Sequence, residues 1–205
     1  MSLALKRTLP LLYNFLKKYE KYVPAPTILW DQKKYILNLK IISMLSIWKS
    51  WPRLKKEADI VFNLYNGGDF LDIGASRGVY SFLLAPKANN NDIFVHCEPD
   101  PSVKKDLLEN LKVLKKIFNH IKLEFISTPI SNSNLARKHP TDYGHPVYFS
   151  ETKNIKHSEI IESIRIDDLV KKLGLEPNFI KIDVEGAEYE VLQGAINTLK
   201  NHKAL

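Results

Sequence analysis

Residues 70–78 read FLDIGASRG, a short apolar run that ends at Ile73 and enters a turn bounded by Gly74 and Gly78. Apolar residues at helical spacing follow from Val79 to Ala85, so the order strand, glycine turn, helix is predicted. Glycines in such a turn either let the backbone approach a ligand or close a tight turn without one. The G-x-x-x-G spacing differs from the G-x-G-x-x-G of dinucleotide binders and from a phosphate-binding P-loop.

The same order of strand and helix recurs along the chain. The apolar runs are continuous rather than alternating, which is typical of strands buried on both faces of a parallel sheet. Further strands are predicted at Ile93–Cys97, Leu123–Ser127, Ile164–Ile166 and Phe179–Val184, and helices at Arg53–Tyr65, Ser102–Ile117 and Ala187–Lys200. A further helix, capped by Asp167 or Asp168, ends at Gly174, and residues 132–160 form a long polar connection. The pattern predicts an α/β fold with a doubly wound sheet.

Ligands of such sheets bind at the carboxyl ends of the strands, where this chain places several acids. Glu98 follows the second strand, at the position where an acid can accept the hydroxyl protons of a ribose. Asp183 and Glu185 follow the last strand, beside the expected pocket. The alternatives are an isolated surface role for Glu98 and a helix-capping role for Glu185, while Glu188 and Glu190 are predicted to be solvated.

The net charge of +7 is concentrated near the amino terminus. Residues 1–60 contain 12 Lys and Arg against 4 Asp and Glu, and they include Trp30, Trp48 and Trp51. Residues 1–51 are therefore predicted as a basic, Trp-containing helical extension and residues 52–205 as the main domain. A solvated extension packed on that domain is the favoured interpretation, and peripheral contact with an anionic membrane surface is the alternative.

Composition excludes several classes of protein. The chain has no apolar run long enough to span a bilayer and no signal-peptide pattern. The lone Cys97 cannot form an intrachain disulfide and is expected to be a buried strand residue, so a cytoplasmic location is predicted. The histidines show no metal-ligand spacing, so no metal is expected, and no nucleic-acid recognition motif accompanies the basic residues.

Four motifs in this order resemble those of the FkbM family of methyltransferases. They are residues 72–78, His96-Cys97-Glu98-Pro99-Asp100, Ile166-Asp167-Asp168-Leu169 and, most specifically, residues 180–188, IKIDVEGAE. The resemblance covers about residues 60–200. It implies a class I methyltransferase (Rossmann-like) fold, S-adenosylmethionine as the cofactor, and methylation of a hydroxyl on a sugar, glycan or secondary metabolite.

The resemblance also implies roles for individual residues. The methionine end of the cofactor is lined by Asp72, Gly74, Ala75 and Gly78, the ribose by Glu98, and the adenine by Pro129 and Ile130. Asp183 and Glu185 face the reaction centre, and either is a candidate base for the hydroxyl proton, with His145 a weaker one. Arg77, and Pro129-Ile130 in place of the usual Ala-Val, depart from the family pattern.

The family pattern continues through further strands beyond the helix near Lys200, so truncation at the carboxyl terminus is expected, with the last strand at an open sheet edge. Two rival functions are a nicotinamide-dependent oxidoreductase on the same sheet and an inactive cofactor-fold fragment that serves as a membrane-surface or interaction module.

Overall fold

The computed structural model describes Leu11 and residues 27–30, 33–36, 55–134, 136–140 and 158–201, which divide into two units, Met1–Leu64 and Tyr65–Leu205. In the first unit, β1 (Thr27–Trp30) pairs antiparallel with β2 (Lys33–Ile36), and α1 spans residues 55–64. The helical prediction for residues 1–51 is therefore wrong at 27–30 and 33–36, where β-branched and aromatic residues favour strands. Trp48 and Trp51, which the proposed membrane contact also includes, lie outside the described residues.

The second unit is built on a parallel sheet. Its elements are β3 (Asp69–Ile73), α2 (Val79–Leu84), a 3-10 turn (Ala85–Lys87), β4 (Ile93–Cys97), α3 (Pro101–Ile117), β5 (Lys122–Ile126), β6 (Ala136–Pro140), β7 (Ser158–Glu162), α4 (Ile166–Leu173), β8 (Pro177–Ile182), α5 (Glu188–Gln193) and α6 (Ile196–Asn201). Four strands lie in the order β5-β4-β3-β8, and every neighbouring pair is parallel. The predicted α/β class and the four core strands are confirmed.

Both faces of this sheet are covered by apolar side chains. One face carries an aromatic cluster in which the Phe70 and Phe94 rings lie 5.3 Å apart and nearly perpendicular, with Tyr65 and Phe179 around them. The other face buries Leu71, Ile73, Val95 and Cys97 against side chains of α4 and α5, among them Ile166, Leu169 and Val191. Burial on both faces explains why the strands are continuous apolar runs. Cys97 is a buried free thiol, as expected.

Three local predictions are wrong. The first is the strand predicted at Ile164–Ile166. Of these residues only Ile164 forms a β-bridge, to Ile130, whereas Ile166 starts α4 and is buried with Leu169 and Val170 at helical spacing. The polar connection contains the antiparallel pair β6 and β7. The last helix is broken into α5 and α6 near Gly194, whose backbone lies so close to the Ser131 carbonyl that a side chain would overlap it.

Asp167 has a different role from the predicted cap of its own helix. Helix α4 begins after Arg165 without a side-chain cap, and ends as predicted at Gly174 in the left-handed conformation. The Asp167 carboxylate accepts hydrogen bonds from the backbone amides of Asn197 and Thr198 and from both side chains, at 2.8–3.2 Å. It therefore caps a later helix, α6, and fixes it to α4.

None of the helices in the described ranges is both long and apolar enough to cross a bilayer.

Candidate active site at the carboxyl ends of three strands

The backbones that follow β3, β4 and β8 are joined by hydrogen bonds. The amides of Gly74 and Ala75 both donate to the Cys97 carbonyl, at 2.9 and 3.0 Å, and the Asp183 amide donates to the Ile73 carbonyl at 3.0 Å. The glycine turn, the Glu98 segment and the Asp183 loop therefore lie together at one edge of the sheet, where parallel α/β folds bind their ligands.

Glu98 connects the turns that follow β3 and β4. Its Oε2 accepts a hydrogen bond from the Ser76 amide at 2.8 Å, and its Oε1 accepts one from the Asp100 amide at 2.9 Å. The side chain is buried, with 8% of the residue exposed. Burial raises the pKa of Glu98 above its ordinary value, although the bonds from Asp100 and Ser76 act in the opposite direction. Each carboxylate oxygen retains a lone pair that can accept one more hydrogen bond.

The two glycines of the turn are required by the packing of the protein itself. Gly74 has a φ of +78°, and a Cβ atom there would overlap the Asp183 carbonyl oxygen and lie 2.8 Å from the carbonyl carbon. Gly78 has a φ of +71° and precedes α2, and a Cβ there would lie 3.0 Å from Leu107 Cδ1. Both glycines are thus explained by contacts within the protein, at Gly74 with the β8 loop, and approach of a ligand to this turn stays a prediction.

Asp72 and Lys181 form a buried ion pair beneath the turn. Asp72 is fully buried, and neither carboxylate oxygen has a hydrogen-bond partner in the structure. Lys181 Nζ lies 3.1 Å from Asp72 Oδ1 and donates a 2.7 Å hydrogen bond to the Gly74 carbonyl. It also lies 3.9 Å from Asp183 Oδ2 and 5.4 Å from the centre of the Tyr80 ring.

Sequence reasoning missed Lys181. The available signal was a lysine in the middle of the apolar run from Phe179 to Val184, since a charge inside a buried strand needs a partner.

Asp183 and Glu185 lie at the surface of this edge. The Asp183 side chain is 70% exposed, and Glu185 is exposed with a φ of +54°, a conformation that disfavours residues other than glycine. Their loop is held by Glu188 Oε1, which accepts hydrogen bonds from the amides of Val184 at 3.2 Å and Gly186 at 2.9 Å. The bond from Gly186 is the main cause that holds the pKa of Glu188 below its ordinary value. Glu188 is partly exposed, in line with the solvated position predicted for it, and it also holds this loop in place.

A buried histidine lies behind the glycine turn and was not assigned a role from the sequence. His96 Nδ1 lies 3.1 Å from the Glu124 carbonyl oxygen, which can only accept, so this nitrogen carries the proton. Nε2 must then accept, and the Ser81 hydroxyl donates to it at 2.6 Å. Burial lowers the pKa of His96 below its ordinary value, although the nearby charge of Asp72 acts in the opposite direction. The buried imidazole is neutral at pH 7.

Pro129 and Ile130 lie next to a different segment. The Ile164 amide donates to the Pro129 carbonyl at 2.9 Å, and the Ser131 amide donates to the Ile164 carbonyl at 3.0 Å. The side chain of Ile130 belongs to the apolar core. The adenine contact expected of this pair stays a prediction, as do the cofactor roles of Asp72, Gly74, Ala75, Gly78 and Glu98.

Within the part of the chain that the structure describes, no group of three or more His, Cys, Asp or Glu residues is placed to hold a metal ion. His145 lies outside the described residues.

Comparison with known proteins adds a family match. The model of the methyltransferase FkbM domain matches residues 72–205. The chain is 26% identical over 180 residues to the hexuronic acid methyltransferase AglP of Haloferax volcanii, with 82% of this chain and 67% of that protein covered.

Two solved structures are also similar. One is methyltransferase FkbM from Methylobacillus flagellatus KT, at 21% identity and a TM-score of 0.47, covering 70% of this chain. The other is a putative rRNA methylase from Clostridium thermocellum, at 14% identity and a TM-score of 0.33, covering 72% of this chain and 81% of that one. This chain spans about a third of the length of the solved FkbM chain, since the match covers 35% of it.

Proposed function

The chain belongs to the FkbM family of methyltransferases, and from this membership and the geometry of the strand ends we propose that it transfers a methyl group from S-adenosylmethionine to a hydroxyl group of a sugar, a glycan or a secondary metabolite. The observation that carries the proposal is the bridging position of Glu98. A buried acid whose two oxygens are oriented by the amides of Ser76 and Asp100 is a suitable acceptor for the two hydroxyls of a ribose.

The hydrogen-bond acceptors at this edge fit the hydroxyl donors of the cofactor. Glu98 has one unused lone pair on each oxygen, and a ribose diol offers two hydroxyl donors. The turn from Gly74 to Gly78, with Asp72 beneath it, would hold the methionine end. When bound, S-adenosylmethionine would supply an electrophilic methyl group on a sulfonium, which reacts by in-line displacement and so depends mainly on positioning.

The residues of the β8 loop would act on the methyl acceptor. Asp183 and Glu185 are exposed carboxylates at the mouth of the site, and either could take the proton that the hydroxyl loses, a contribution of about 10²- to 10⁴-fold. Glu185 is the better candidate because it occupies a left-handed conformation that favours glycine. Backbone strain of this kind is concentrated at functional sites.

The acceptor is proposed to be a sugar hydroxyl. The support is the relative from Haloferax volcanii, whose name describes methylation of a hexuronic acid.

Calorimetric titration with S-adenosylmethionine tests the cofactor assignment. We expect Glu98→Ala to weaken binding about 10- to 100-fold, on the order of a hydrogen bond to a charged group. Glu176→Ala is the matched control, because Glu176 is an exposed glutamate whose backbone amide alone contacts Asp69. Wild-type affinity in a folded Glu98→Ala protein would refute the assignment, and binding of NAD in place of S-adenosylmethionine would favour the oxidoreductase alternative.

A further inference from the structure

One ammonium group contacts three separate parts of the candidate site. Lys181 Nζ donates to the Gly74 carbonyl at 2.7 Å, lies 3.1 Å from the buried Asp72 carboxylate, and lies 3.9 Å from Asp183 Oδ2. These groups belong to the end of β3, to the glycine turn and to the loop after β8.

The sheet register makes this arrangement possible. Asp72 and Lys181 are direct neighbours on the parallel strands β3 and β8, and the lysine side chain is only 13% exposed. The Asp72 carboxylate needs the ammonium because a fully buried ion needs a partner, whereas Lys181 also donates to the Gly74 carbonyl and keeps some exposure. A buried ion pair is nevertheless weak evidence for stability, since apolar residues of similar size often serve as well. The contact with Gly74 and the proximity of Asp183 indicate a purpose beyond neutralising Asp72.

We propose that Lys181 is a positioning residue for the methyl transfer, which fixes the glycine turn relative to the Asp183 loop and sets the charge beneath the cofactor's methionine end. This inference rests on the proposed function. The ammonium contacts the turn and the acid beneath it and lies near the loop beyond it, so the cofactor side and the acceptor side of the site are held in register through it.

A double-mutant comparison tests the proposal without leaving Asp72 as a lone buried carboxylate; in Asp72→Asn, Lys181 keeps its hydrogen bond to the Gly74 carbonyl and lies 3.9 Å from Asp183 Oδ2. Lys181→Met alone leaves Asp72 uncompensated and could prevent folding, so the decisive pair is Asp72→Asn and Asp72→Asn/Lys181→Met in the full chain. Lys172→Met is the matched control, because Lys172 is an exposed lysine on α4. We expect the double variant to bind S-adenosylmethionine at least tenfold more weakly than Asp72→Asn, and Lys172→Met to bind as the wild type does.

A second titration with S-adenosylhomocysteine separates positioning from general damage to the fold. This ligand lacks the methyl group and the positive charge on sulfur, so a distorted pocket weakens both ligands alike. Removal of a nearby ammonium instead favours the cationic ligand over the neutral one. We expect the ratio of the two dissociation constants to shift at least threefold toward S-adenosylmethionine in the double variant relative to Asp72→Asn.

Equal affinities of Asp72→Asn and the double variant would overturn the proposal, and so would an equal loss for both ligands. Failure of the wild type to bind either ligand would overturn the proposed function and this inference with it. Binding by the wild type with no effect of the lysine substitution would overturn this inference alone.

Discussion

The packing of the glycine turn against the β8 loop can be tested with a single methyl group. Gly74→Ala places a Cβ atom where the Asp183 carbonyl lies, and Gly174→Ala provides a matched control. Both glycines have positive φ angles, +78° and +64°, so both substitutions impose a similar conformational strain. At Gly174, however, nothing lies within 4 Å of the added atom.

The expected magnitudes follow from these two environments. An alanine in the left-handed region is destabilised by about 1–2 kcal/mol, offset by about 0.4–1 kcal/mol through the reduced entropy of the unfolded chain. Gly174→Ala should therefore lower the free energy of unfolding by about 0–1.6 kcal/mol. Gly74→Ala must also displace the Asp183 backbone, and overpacking of this kind adds about 1–3 kcal/mol. The same displacement strains the bond between the Asp183 amide and the Ile73 carbonyl.

Differential scanning calorimetry of the three proteins measures the difference. For a chain of this size about 1 kcal/mol corresponds to a shift of about 2–4 °C in Tm, so we expect Gly174→Ala to lower Tm by at most about 6 °C and Gly74→Ala to lower it by about 2–12 °C more than Gly174→Ala does. We also expect weaker binding of S-adenosylmethionine by Gly74→Ala alone. Equal decreases in Tm for the two variants would show that the turn does not pack on the β8 loop, and the described site would lose its basis.

Three further predictions concern other buried or strained residues. Glu185→Gly should raise Tm by about 2–4 °C by relieving the positive φ, yet abolish methyl transfer measured with radiolabelled cofactor; retained activity would exclude Glu185 as the base. Asp167→Asn should lower the free energy of unfolding by about 1–3 kcal/mol at pH 7. Burial acts to raise the pKa of Asp167, but hydrogen bonds from Thr198 and Asn197 and the charge of Arg165 hold it below its ordinary value. The stability lost in Asp167→Asn, measured by urea unfolding, should therefore become smaller as the pH falls below about 4. A loss of stability that is the same at every pH would contradict this. Because the pKa of His96 is lowered in the folded protein, the unfolded chain takes up this proton at a higher pH than the folded chain does, and the wild type loses stability as the pH falls from about 7.5 to about 5.5. His96→Gln should make this loss of stability smaller. An unchanged pH dependence would contradict the buried neutral imidazole.

The sheet was predictable because its signal is local. Continuous apolar runs such as Phe70–Ile73 and Ile93–Cys97 reflect burial on both faces, and the order of strands and helices restricts the topology. The convergence of Gly74 and Glu98 followed from the same argument, since carboxyl ends of neighbouring parallel strands meet. The pairing of β1 with β2 was not predicted, because the basic residues and tryptophans of this segment favoured a helical extension over the strands that its β-branched and aromatic residues favour.

The contacts between distant residues could not be read from the sequence. Asp167 resembles a cap for its own helix, and only the packing of α6 against α4 shows that it caps the other one. Gly194 resembles a helix residue until the Ser131 backbone is seen beside it. Both cases depend on tertiary neighbours more than 25 residues away, whereas propensities and caps describe only the nearest turn.

The acids at the two ends of the same strands differ in how fully their acceptor capacity is used. At the amino ends, Asp69 accepts hydrogen bonds from the amides of Ile93 and Glu176, and Asp92 Oδ2 accepts two, from Gly68 and Asn89. These carboxylates are used in joining loops to strands. At the carboxyl ends, Asp72 is fully buried with the Lys181 ammonium 3.1 Å from its Oδ1, and Glu98 retains acceptor capacity on both oxygens. Under the proposed function, the hydroxyls of S-adenosylmethionine would use the acceptor capacity that Glu98 retains.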